Sequence, residues 1–116
     1  MNLFKSLFGN SKEKKIQEIN KKVEIQVGLV FMNLNTKIVE VSELIDLYEE
    51  TYRAIPTPRE LSYSLIKISI KELVKEYPEE MNSNKQILST LNAGVALIKR
   101  TLIPLYEVYK EAEKRR

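Results

Sequence analysis

An all-α fold is predicted for this chain: an antiparallel bundle of about four helices, preceded by a short amphipathic N-terminal helix. Three observations predict it. Apolar residues recur at alternating steps of three and four over most of the 116 residues, the spacing of helices that bury one stripe. Helix start and stop signals bracket these stretches, most clearly around Pro56-Thr57-Pro58 and at Ser83. No run approaches the roughly 20 apolar residues that cross a bilayer, so the stripes must be covered by one another.

Residues 1–10 form a unit of their own in this reading. Leu3, Phe4, Leu7 and Phe8 sit at i, i+1, i+4 and i+5, one face of a two-turn helix, and Gly9 suits a left-handed cap that ends it. Lys12, Lys14 and Lys15 follow directly. So short a helix is marginal alone in water. It must dock on its own domain, on an anionic membrane surface with the lysines at the headgroups, or in a groove of a protein partner.

Residues 11–116 are predicted to be the bundle. From Asn10 to Ala54 the stripe is Ile16, Ile19, Val23, Val27, Val30, Leu34, Ile38, Val41, Ile45, Tyr48 and Tyr52. One unbroken helix of that length would reach about 70 Å, more than the rest of the chain can cover. Asn33-Leu34-Asn35-Thr36 is the natural interruption, because short polar side chains compete for backbone bonds. Two helices are expected, near 12–32 and 37–54. The same stretch permits a second reading. Val23, Ile25, Val27, Leu29 and Phe31 also alternate, as a strand would, and would make a β-hairpin over residues 23–41 in an α+β fold.

Pro56 ends the second helix. Thr57 as N-cap, Pro58 at the first helical position and Glu60 completing a capping box open the third, which should run to Tyr77. Its apolar residues lie on two sides, Ile66, Ile70, Leu73 and Tyr77 on one and Leu61, Leu65 and Ile68 on another, as in a central helix. Pro78 to Ser83 reads as a loop. Ser83 and Gln86 then fit a capping box for the last helix, with Leu88, Leu91, Val95, Ile98, Leu102, Leu105 and Tyr109 as its stripe. Pro104 removes the amide that would bond the Arg100 carbonyl and should kink the rod. Ala93, Gly94 and Ala96 offer a place for close backbone approach. The six tyrosines are read as packing at the core edge, with hydroxyls reaching water.

Composition removes several classes of function. There is no Cys and no His, hence no disulfide, no thiolate chemistry, and neither the commonest acid–base residue nor the commonest zinc ligand. The glycines are isolated, so no phosphate-cradling loop exists. Glu43, Asp46 and Glu50, with Glu40 a turn earlier, share a helix face; they read as a solvated face rather than a metal or acid–base site. No catalytic residue, cofactor or metal is therefore assigned, and a non-enzymatic chain is expected. With neither a secretory signal pattern nor cysteine, a cytoplasmic location is expected, with peripheral membrane attachment if residues 1–10 dock there.

The charge is unevenly placed. Residues 1–22 carry six Lys against two Glu, residues 23–56 one Lys and one Arg against six acids, and residues 57–116 eleven bases against eight acids. Basic ends flank an acidic middle, which lets segments complement one another across a bundle. The function these features predict is a small helical interaction protein: an adaptor, an inhibitor or immunity factor, or a subunit of a larger assembly, of the kind found among phage and bacterial accessory proteins. Its docking residues would be Leu3, Phe4, Leu7, Phe8, Lys12, Lys14 and Lys15, with a protein partner or a membrane surface, and homo-oligomers are expected if the last stripe outruns its cover. The alternative is a nucleic-acid-binding accessory protein that uses the N-terminal lysines and Lys99, Arg100, Lys110, Lys114, Arg115 and Arg116.

Overall fold

In the computed structural model the backbone is described for residues 3–37 and 40–114, and side chains for residues 11–37 and 40–114. Six helices account for nearly all of it: α1 (Leu3–Asn35), α2 (Val41–Tyr52), α3 (Pro58–Ser69), α4 (Lys71–Glu76), α5 (Pro78–Ser83) and α6 (Lys85–Lys114). No strand occurs among the described residues, so the β-hairpin over 23–41 does not form. Its alternation has a helical explanation. Val23 and Val27 face the core, while Ile25 and Leu29 lie on the opposite, exposed side of the same helix.

The helices build an elongated bundle, 70 × 25 × 20 Å. Three rods run its length. α1 and α6 lie side by side in the same direction: Ile16 is beside Asn84 and Gln86, Val27 packs on Gly94, and Leu34 is beside Leu105. α3, α4 and α5 return between them as one interrupted rod, from Pro56 against Tyr106 at one end to Glu80 against Lys15 at the other. α2 is a shorter fourth member that packs on α3 and α6. Consecutive rods are antiparallel, which makes the first and last parallel. Ile19, Val23, Val27, Val41, Ile45, Leu61, Ile66, Leu73, Met81, Ile87, Ile98 and Leu102 form one continuous core.

Several local expectations move. α1 is continuous from Leu3, so residues 3–10 run on into the rest of α1 rather than ending as a separate helix, and Gly9 lies within α1. A glycine costs a helix interior only about 1 kcal/mol, too little to break a run continued by Lys and Glu. α1 ends at Asn35. There the Asn35 amide donates to the Phe31 carbonyl at 2.8 Å and the Thr36 hydroxyl to the Met32 carbonyl at 2.7 Å, the competition for backbone acceptors that places the break here. Ile38 of the apolar run lies outside the described residues.

The capping box forms as read from the sequence. Thr57 Oγ1 accepts from the Glu60 amide, and Glu60 Oε1 accepts from the Thr57 amide, both at 3.2 Å. Pro78 to Ser83 is not a loop but the short helix α5. Pro78 takes its first position, Glu79 and Glu80 its first turn, and Met81 is buried; these are ordinary helix-start signals. The cap of α6 shifts by one residue. Asn84 Oδ1 accepts from the amides of Gln86 and Ile87 at 3.0 and 3.1 Å, while Ser83 donates back to Glu79. The α6 stripe turns with it: Ile87, Gly94 and Tyr106 are buried and Leu88 is exposed. α6 continues through Pro104, which is exposed along with Arg100. The carbonyl that loses its bond therefore lies on the watery side.

Candidate apolar docking surfaces

The side chains of Leu3, Phe4, Leu7 and Phe8 lie outside the described residues; their backbone forms the first turns of α1. Lys12, Lys14 and Lys15 are described and exposed. Lys15 is not a free cation. Its Nζ is 3.0 Å from Glu80 Oε1, which holds the lysine above and the glutamate below their ordinary pKa values through the shared hydrogen bond and charge attraction. Lys12 lies in a shallow, open polar concavity with Ile16, Ser83, Asn84 and Gln86. Lys14 makes no ion pair among the described residues. Two of the three lysines are thus placed where α1 meets the α5–α6 junction.

Sequence reading missed a groove between α2 and α3. Leu44, Tyr48, Leu61 and Leu65 line its floor, with Leu47, Thr51, Tyr52, Ser64 and Ile68 along the walls and Lys67 of α3 and Lys71 of α4 on the rim. It encloses about 390 Å³. Its wall residues are exposed: 58% for Leu47, 63% for Tyr52 and 69% for Ile68. Leu47 does not join Leu44 and Tyr48 against the core. It falls outside because α2 buries Val41 and Ile45 most deeply, which turns Leu47 towards solvent. Leu65 and Ile68 were read as the second apolar side of a central helix; that side opens onto this groove. The detectable signal was the second stripe of α3, with too few apolar residues elsewhere to cover it.

A hydrogen bond joins the two walls of the groove at one end. Tyr48 donates from its hydroxyl to Glu60 Oε2 at 3.0 Å, joining α2 to the α3 capping box. With the Thr57 amide, this bond keeps the Glu60 carboxyl below its ordinary pKa. Tyr48 and Tyr52 rings pack at 4.6 Å between centroids, tilted by 43°. Other tyrosine hydroxyls also bond within the chain, and Tyr106 departs from the expected core-edge placement. Tyr106 is buried and donates to the Pro56 carbonyl at 2.8 Å, and Tyr77 accepts from Lys22 Nζ at 3.1 Å.

A second exposed apolar stripe lies on the outer side of α1: Ile25, Leu29 and Met32 at 55, 47 and 58% exposure. It is a ridge rather than a groove. Glu40, Glu43, Asp46 and Glu50 are all exposed, and no group of His, Cys, Asp or Glu among the described residues is arranged to hold a metal ion. Among the described residues, no helix is long and apolar enough to cross a membrane. Comparison with protein-family models, with curated proteins and with solved structures gave no match.

Proposed function

We propose that this chain is a non-enzymatic helical interaction protein, working in the cytoplasm as an adaptor, inhibitor or assembly subunit, and that the α2–α3 groove is its principal docking face. The open groove carries this reading. A bundle that buries Ile45, Ile87, Ile98 and Leu102 completely leaves Leu47, Tyr52 and Ile68 in water around a concave apolar floor. Contiguous exposed apolar surface of this kind favours macromolecular contact. Capture of partners by the full chain, beside Leu47→Glu/Ile68→Glu and Ile25→Glu/Met32→Glu variants, tests it. Loss of a partner with the groove variant alone is expected. Retention by the groove variant and loss with the α1 variant would overturn the assignment.

A second docking element is proposed at residues 3–15, because α1 runs unbroken from Leu3 and carries Phe4, Phe8 and three lysines on its first turns. Co-sedimentation with anionic vesicles that Phe4→Asp/Phe8→Asp abolishes is the expected result; equal sedimentation of both proteins would remove it. Nucleic-acid binding is the less favoured alternative. It would enlist Lys15, which is already paired with Glu80, and Lys114, which lies 4.0 Å from Glu111.

A further inference from the structure

We propose that the groove between α2 and α3 is closed by the same groove of a second copy of this chain, in a twofold dimer. The inference rests on the reading of that groove as the docking face and adds its occupant. Charge order carries it. The α3–α4 rim presents Lys67 at the end of α3 and Lys71 at the start of α4. On α2, Glu43 and Glu50 lie one turn to either side of the exposed wall residue Leu47 and are themselves exposed, so acidic side chains flank the α2 wall just outside the groove lining. None of these four residues forms an ion pair among the described residues.

The two helices are antiparallel across the groove, with Leu44 beside Leu65 and Tyr48 bonded to Glu60. Each step along α2 is a step back along α3, which brings Glu43 to about the level of Lys67. Two face-to-face twofold arrangements are available. An axis across the helices lays α2 on α2 and sets acid against acid. An axis along the helices lays α2 of one copy on α3 of the other, so Glu43 meets Lys67 twice and Leu47 and Ile68 are buried between them. The second is self-complementary in charge and in apolar content, as an isologous interface must be. An acidic partner helix would match the lysine rim but be repelled by the acids flanking the α2 wall, and a basic one the reverse. Both helices have 12 residues, about 18 Å, so the face is at the small end of specific interfaces. The expected dimer is weak and concentration-dependent.

Sedimentation equilibrium on the full chain tests this. The wild type should show a reversible monomer–dimer equilibrium. Leu47→Glu/Ile68→Glu should be monomeric at every concentration, with unchanged circular dichroism and melting, because both side chains are already exposed. Glu43→Lys and Lys67→Glu should each weaken the dimer about tenfold, and an equimolar mixture of the two should restore it as a heterodimer. A wild type that stays monomeric to near-millimolar concentration overturns the proposal. So does a dimer indifferent to Leu47→Glu/Ile68→Glu, or a mixture no tighter than its components. If the wild type is monomeric but a captured partner is lost with the groove variant, the dimer alone fails. If capture is also indifferent to that variant, both readings fall.

Discussion

Gly94 is the residue on which the parallel pairing of α1 and α6 depends. A Cβ built there would sit 2.8 Å from Val27 Cγ2, and Val27 is itself buried on a helix where its rotamer is stiff. Gly94→Ala should therefore destabilise the fold by about 1–2 kcal/mol despite its better helix propensity, and Val27→Ala in the same chain should offset part of that loss; thermal melts of the single and double variants measure both. Close approach at Ala93-Gly94-Ala96 was legible in the sequence, but which of the three meets a neighbour was not, because a small turn of the stripe decides it. Ala93 and Ala96 are exposed. Tyr106 illustrates what periodicity alone cannot show. Its hydroxyl bonds the Pro56 carbonyl, a contact between residues 50 apart in sequence. Tyr106→Phe should cost about 1–2 kcal/mol by leaving that buried carbonyl without its donor. Arg53 caps α2 with φ at 54°. Arg53→Gly should raise stability by a few tenths to about 1 kcal/mol by relieving the left-handed conformation, read as an increase in melting temperature.

At the scale of elements, strong local chemistry was the most legible. The Thr57–Glu60 box forms with both reciprocal bonds, and Thr57→Ala should lower stability by about 1 kcal/mol. Weaker signals misled in predictable ways. Pro78 was read as a stop after Tyr77, yet proline also starts helices, and two acids behind it favour the start. Gly9 was read as a cap, yet nothing beside it gives the chain a reason to turn. The ion pair and capping contacts between elements also set a pH dependence. Glu60 and Glu80 both have folded pKa values below their ordinary ones, so their contribution is complete above about pH 4.5 and is lost as pH falls through the depressed values. Lys15 and Lys22 are raised, so their contribution is present at neutral pH and is lost only in strong alkali. Melting temperature should accordingly fall on the acid side, and Glu80→Gln should make that fall shallower. An equal acid slope in the wild type and Glu80→Gln would show that the Lys15–Glu80 pair carries none of it.

For the molecule as a whole, the helical class and most of the core were readable because a bundle this narrow has room for only one stripe per helix. Ile19, Val23, Val27, Leu34, Val41, Ile45, Ile98 and Leu102 were all placed inward by spacing, and all are buried. The docking groove was not readable in the same way. Its residues belong to two helices whose apolar sides each look like core, and only packing shows that the pair is left uncovered. The uneven charge has a corresponding meaning in our account. The acidic middle segment supplies the acids that flank the α2 wall and the basic C-terminal half supplies the α3–α4 rim, which makes one face complementary to itself. Amide and methyl chemical shifts of the isotopically labelled full chain, followed on dilution, test that claim most directly. The account predicts concentration-dependent shifts clustered on Leu44, Leu47, Tyr48, Leu65, Ile68 and their neighbours, with Ile25, Leu29 and Met32 unmoved. Shifts clustered on the α1 stripe, or none at any concentration, would contradict it.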